Sequence, residues 1–165
     1  MEIRDGIKIL GIDPGLQATG YGLIERKNGK PAHLLHGEIK GSKRCKFSKS
    51  LLHIYQELMV LIREQKPHAL AVEDVFYGKN IKSLVKQAQV RGVIILTGSS
   101  EDLPVFEYSP LEVKSAVVGY GRAEKQQVQK MVQAILSLKE TAPPDASDAL
   151  AIAICHLHSR KEISL

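Results

Sequence analysis

The stretch IKILGIDPGLQATGYGLIE, residues 7–25, decides the fold. Ile7, Ile9, Leu10 and Ile12 make a short apolar run that reads as a strand from about Ile7 to Asp13. A carboxylate, Asp13, closes it, and Pro14-Gly15 lead into a second strand from about Ala18 to Arg26. Asn28-Gly29 is a strong tight-turn signal, and a third strand follows from about Pro31 to Lys40. The three read as an antiparallel meander. The oddity is the acid: burial disfavours a carboxylate, so one at the end of a core strand needs a reason.

Outward from the meander, a helix is expected from about Phe47 to Gln65, with Leu51, Ile54, Tyr55, Leu58, Leu61 and Ile62 at helical spacing and Pro67 just past its end. HALAVEDV is a compact strand with Glu73 near its end. A second helix is expected from about Lys79 to Leu96, closed by the GSS that follows. LPVFEYS reads as a fifth strand, then PLEVKSAVVG and EKQQVQKMVQAILSL as short helices, and DASDALAIAICHLHSRK as the last. A meander extended by alternating helices and strands predicts an α/β fold: a mixed sheet with helices on its faces. Ligands of such sheets gather beyond the ends of neighbouring strands.

The 165 residues suit a single domain, residues 1–165, and 44% hydrophobic content supports a real core. The net charge is only +5, but the cations cluster: Lys40, Lys43, Arg44, Lys46 and Lys49; Lys79, Lys82, Lys86 and Arg91; Lys114, Arg122, Lys125 and Lys130. Such clusters suit a polyanionic partner, or are solvated helix faces. Two cysteines without CxxC spacing argue against a disulfide framework or a structural zinc site. With no secretion signal at the start and no bilayer-length apolar run, a soluble cytoplasmic protein is expected, with no membrane partner.

Asp13 and Glu73 each end a strand. Neighbouring strands would set the two side by side at one edge of the sheet. Asp145 and Asp148, three apart, share a face of the last helix. Each has a plainer reading: Asp145 as a helix N-cap with Asp148 in the first turn, Asp13 as a turn residue, Glu73-Asp74 as a solvated strand end. Four acids gathered in one pocket would repel and resist ionisation unless cations joined them. Oxygen-only ligands select hard ions, Mg²⁺ or Mn²⁺. Two such ions about 3.5–4 Å apart suit phosphodiester hydrolysis, and the basic clusters would hold the polyanion.

The segments GIDPGLQATGYG, AVEDVFYGKN, VRGVI, PVFEYSPLEVKSAVVGYGRAEKQQVQKMV and DASDALAIAI closely resemble the RuvC family of bacterial Holliday-junction resolvases. The resemblance runs from about Ile9 to His158. It implies a ribonuclease-H-like fold, a five-stranded mixed sheet (a three-strand antiparallel meander plus two parallel strands) flanked by helices. It also implies a homodimer, Mg²⁺ dependence with two ions per site, paired symmetric nicks in a four-way DNA junction during recombination and repair, and a branch-migration motor as partner. Asp13, Glu73, Asp145 and Asp148 match the family's four catalytic and metal-binding acids. Lys114 and Lys125 match two lysines near the scissile phosphate, and Phe76 an aromatic used against bases at the junction centre. Asp74 and Tyr77 depart from the best-known members, and Asp74 adds a fifth negative charge near the site.

Asp13 is expected to bridge the ions from a central strand. Glu73 would bind one ion and orient water, while Asp145 and Asp148 complete the other shell. Phe76 could stack on a base or plug the core; its neighbours Gly78, Lys79 and Asn80 favour an exposed loop, and Tyr77, Lys79 and Asn80 are expected to contact DNA with it. Lys79, Lys82 and Lys86 share a helix face that could follow a phosphate backbone, with Arg91 and Arg122 as further DNA contacts. Leu84, Val85, Ala88 and Val93 could serve core or dimer contact. His156 and His158, two apart, point away from each other and read as surface or packing residues. Two rival readings remain: GIDPG also opens actin-like ATP-binding folds, which need a second domain, and a non-catalytic junction binder would need only the lysines.

Overall fold

The apolar run of the first strand lies inside a sheet that the helices sandwich. The computed structural model describes residues 4–15, 17–41, 45–75 and 80–159. Among these, the order is β1 (Lys8–Asp13), β2 (Ala18–Lys27), β3 (Lys30–Lys40), α1 (Phe47–Gln65), β4 (Ala69–Glu73), α2 (Ile81–Ser100), β5 (Val105–Tyr108), α3 (Pro110–Val118), α4 (Lys125–Ile135) and α5 (Pro144–His158). The sheet order is β3-β2-β1-β4-β5. β2 runs antiparallel to both β1 and β3, while β4 is parallel to β1 and to β5. This is the mixed five-stranded sheet expected from the sequence. The turn at Asn28-Gly29 has both residues at positive φ, +52° and +75°, as a tight hairpin demands.

Strand alternation divides the core in two. Leu10, Ile12, Leu23, Leu70 and Val72 face Ile54, Leu58 and Ile62 of α1 and Val90 and Ile94 of α2. Ile9, Ile24, Ala69, Ala71 and Tyr108 face α5, which α3 and α4 cover from outside. α5 is apolar on nearly every side and buried from Ala149 to Leu157, the pattern of a helix enclosed by protein. By the same parity Asp13 and Glu73, two residues beyond Gly11 and Ala71, turn toward α5.

α5 lies unusually close to β1 and β2 because the strands carry glycine beneath it. A Cβ at Gly11 would overlap the Ala149 carbonyl, and one at Gly20 the Asp145 carbonyl. Two boundaries differ from expectation. α2 does not stop at GSS but continues to Ser100. Gly98 there is a contact residue rather than a terminator: a Cβ would sit 2.9 Å from Val105 Cγ2 and 3.3 Å from Leu70 Cδ1. The helix ends two residues before Asp102, whose φ is +54°. α4 is shorter than the apolar periodicity suggests and ends at Ile135, before Ser137 at φ +51°.

Candidate active site

Asp13 is the last residue of β1, pairs with Gly20 of β2, and is 9% exposed. The register that sets Ile12 beside Val72 brings Glu73, the last residue of β4, to the same edge. From above, α5 begins at Pro144, so Asp145 lies in its first turn and Asp148 one turn on. Carboxylate oxygens of Asp13, Asp145 and Asp148 all lie within 4.8 Å of one another. Glu73 is half-buried beside this trio without belonging to it. The capping reading of Asp145 gives way: Pro143 holds the cap position and no side chain caps the helix. Asp145 instead lies in the first turn of the helix, where a negative charge is favoured.

The electrostatics are those of acids pressed together. Burial, and then the charges of Asp148, Glu73 and Asp145, push Asp13 up to about 8, against a smaller opposing pull from Lys125. Burial, and then Asp148, push Glu73 up to about 7, with Lys114 and Lys125 pulling the other way. Asp148 is raised too, chiefly by burial, although Lys125 hydrogen-bonds it. Lys125 Nζ lies 2.8 Å from Asp148 Oδ2, and that bond holds the ammonium charged. One lysine contact is thus too little to offset the crowd. All donors in the trio are carboxylate oxygens, the chemistry of a hard divalent cation, and such an ion would favour the charged forms that burial resists. The residues fit a metal site.

The cations expected around this edge separate into groups. Lys114, on α3, is half-buried and near enough to act on Glu73 and Asp148. Lys125 is the first residue of α4, an unfavourable place for a cation in a free helix, and is directed onto Asp148. Arg122 is exposed in the α3–α4 connection, and Lys82 and Lys86 are exposed on α2, where Lys86 Nζ also lies 5.6 Å from the Phe47 ring centroid. The Asn80 side chain accepts a hydrogen bond from the Ser83 amide, 3.2 Å, and caps α2. Phe76, Tyr77 and Lys79 lie outside the described residues, as do Lys43 and Arg44.

Arg91 is where structure and sequence reading diverge most. Expected on a DNA-facing surface, its side chain is 16% exposed and turned onto the protein, pairing with Asp74 and Glu107. No short sequence spacing links these residues, so only the sheet order reveals the contact. His156 is not a surface residue but is 2% exposed. It shares a 2.6 Å hydrogen bond with the Tyr108 hydroxyl, which satisfies an imidazole inside an apolar core.

Comparison with known proteins agrees with this geometry. A family model described as crossover junction endodeoxyribonuclease RuvC matches residues 9–156. A relative of that description from Syntrophomonas wolfei is 52% identical over 154 residues, covering 93% of this chain and 90% of the relative. Another, from Caldicellulosiruptor saccharolyticus, is 45% identical over 159 residues, covering 95% and 96%. The solved structure of Thermus thermophilus RuvC in complex with Holliday junction substrate superposes with a TM-score of 0.85 at 31% identity, over 91% of this chain and 92% of that one. The match runs through all four acids, sets aside the actin-like ATP-binding reading, and is long and specific enough to conclude that the chain belongs to the RuvC family of crossover junction endodeoxyribonucleases.

Proposed function

We propose that this chain cuts phosphodiester bonds in four-way DNA junctions, as a Mg²⁺-dependent homodimer acting in recombination and repair. The observation that carries the catalytic part is the convergence of Asp13, Asp145 and Asp148 oxygens within 4.8 Å, with Glu73 at the same edge. Asp13, Glu73, Asp145 and Asp148 would hold two ions, Mg²⁺ or in its place Mn²⁺. Bound there, such ions supply a water of lowered pKa and a Lewis acid for the phosphoryl oxygens.

The chain's own groups supply the rest. Asp13, on the central strand, would help to hold both ions. Glu73 orients the attacking water. Asp145 and Asp148 would complete the metal site from a helix that cannot shift without disturbing the core. Lys114 and Lys125 offset charge on the phosphate, and Lys125 also fixes the rotamer of Asp148. Lys82, Lys86, Asn80 and Arg122, with Phe76, Tyr77 and Lys79, contact the DNA arms and the branch point. A branch-migration motor acts with it on the same junction.

Junction cleavage with Mg²⁺ tests the reading. EDTA is expected to reduce single-turnover cutting of a synthetic four-way junction to background, and added Mg²⁺ or Mn²⁺ to restore it. Cutting that persists in chelator would refute the metal scheme. Replacing Lys125 by alanine should slow cutting by roughly 10²-fold, the scale for removal of one charge-stabilising donor, with a much smaller change in junction affinity.

The dimer has a candidate surface. Ile81, Val85 and Leu96 of α2 are 64%, 51% and 63% exposed, and Ala88 and Gly92 continue their face. The sequence left Val85 and Ala88 open to core or dimer contact; both are exposed here, while Leu84 and Val93 are half-buried. A second copy seated on this face would place two active sites about a two-fold axis, as a junction with two equivalent strands requires. Val85→Asp should shift the chain to monomer in sedimentation analysis and convert paired nicks to slow, unpaired ones. A dimer that survives this change places the interface elsewhere.

A further inference from the structure

We propose that Arg91 is a positioning residue for Glu73, a strut that ties α2 to the catalytic end of β4; the proposal rests on the endonuclease reading of the acidic edge. Arg91 Nε donates to the Glu73 carbonyl oxygen at 3.2 Å. Its terminal nitrogen lies 3.3 Å from Asp74 Oδ1 and ion-pairs with Glu107. Three acceptors from two strand ends therefore converge on one guanidinium, itself 16% exposed. A planar fork with donors on separate nitrogens can serve all three, and an ammonium cannot do so in the same plane.

The placement explains why the fork is there. Glu73 and Tyr108 are paired neighbours on β4 and β5, and the Asp74 amide donates to the Tyr108 carbonyl at 2.7 Å. Glu73 turns its side chain to the α5 face, among the other acids, while Glu107, one residue before Tyr108, faces α2. Arg91 reaches across from α2 on that opposite face and grips the Glu73 backbone. Asp74 is held twice, by Arg91 and by the Val75 amide at 2.8 Å. Arg91 thereby offsets the fifth acid near the site and fixes the peptide from which the Glu73 carboxylate projects. The same helix carries the exposed Val85 and Leu96, so the strut runs from the proposed dimer helix to the catalytic strand.

The test compares wild type, Arg91→Gln and Arg91→Lys by three readouts: single-turnover junction cleavage, junction affinity in Ca²⁺, and the Mg²⁺ concentration at half of the metal-induced rise in Tm. Arg91→Gln is expected to slow cleavage on the order of 10–100-fold, the scale for a reacting group displaced by about an ångström. Affinity should stay within about 2-fold of wild type, as expected where no phosphate contact is lost. The Mg²⁺ midpoint should rise, and Arg91→Lys should recover part of the rate. A drop in affinity of about tenfold with a salt slope reduced by about one would make Arg91 a phosphate contact and overturn the proposal. An unchanged rate and Mg²⁺ midpoint, with only a lower Tm, would make it a plain structural tie and overturn it equally. If Arg91→Gln does not fold, Arg91→Lys decides alone: wild-type cleavage and midpoint reject the strut. If wild type itself fails to cut junctions, the endonuclease reading falls, while the Mg²⁺ midpoint of melting still decides Arg91.

Discussion

Asparagine at Asp13 is expected to lower junction cleavage by at least about 10³-fold, or roughly 4 kcal/mol of transition-state stabilisation, while junction binding survives or tightens. The substitution is nearly isosteric, so the strand and its neighbours stay in place. What it removes is the charge shared by the whole edge. Asp13 is the most buried of the acids, and its carboxylate comes within 4.8 Å of those of both Asp145 and Asp148. Neutralising it also removes an anion close to where a phosphate must enter, which is why affinity should not suffer. Cleavage at the wild-type rate in this variant would remove Asp13 from the mechanism.

The same residue sets a pH dependence. In the metal-free folded chain the Asp13 carboxyl keeps its proton up to about pH 8, whereas its ordinary value is 3.8. Between those limits the unfolded chain binds fewer protons than the folded one, so stability falls as pH rises from about 4 to about 8. Glu73, raised to about 7, adds to the slope over a narrower range. Asparagine at position 13 removes its share, so the variant should gain on wild type as pH increases. Relieving about 1–2 kcal/mol raises Tm by roughly 2–8 °C in a chain of this size. Mg²⁺ should flatten the wild-type slope, because its binding competes with protons, and for the same reason cleavage should climb between about pH 6 and 8. Melting curves with EDTA and with Mg²⁺ across that range are the check.

Much of this was readable from residues alone, and for physical reasons. The apolar run of β1, the Asn28-Gly29 turn and the helical spacing of α1 are local signals, and each stands where expected. The acids were conspicuous because each adjoins an apolar run, and packing that buries the runs gathers the charges. Contacts set by strand order were not readable. Nothing between Glu73 and Glu107 announces that β4 and β5 are neighbours or that Arg91 reaches both. His33 and His36 likewise look unrelated on a strand. The register irregularity opposite Leu23 and Ile24 puts them on one side, with ring nitrogens 2.8 Å apart. Gly98 misled because glycine serves both as a helix terminator and as a contact residue, and only the packing partner tells which.

The glycines beneath α5 make the second large prediction. Gly20→Ala should cost on the order of 2–3 kcal/mol or more, a fall of roughly 4–12 °C in Tm, and cut cleavage by about 10²-fold in the fraction that stays folded. Gly20 pairs with Asp13 and lies under the first turn of α5. An alanine methyl there would strike the Asp145 carbonyl and crowd the Ala146 amide. Both are backbone atoms of a packed helix, so no rotamer change relieves the clash. The helix must lift at the end that carries Asp145 and Asp148, away from Asp13. Stability and catalysis therefore fail together, and added Mg²⁺ should recover less of the lost Tm than it adds to wild type, because the ligands no longer meet. Gly41→Ala is the control: its methyl would make ordinary contact with Ser50, 3.5 Å from Oγ, and should leave cleavage unchanged. If Gly20→Ala melts and cuts like wild type, the close seating of α5 is not what assembles the acids.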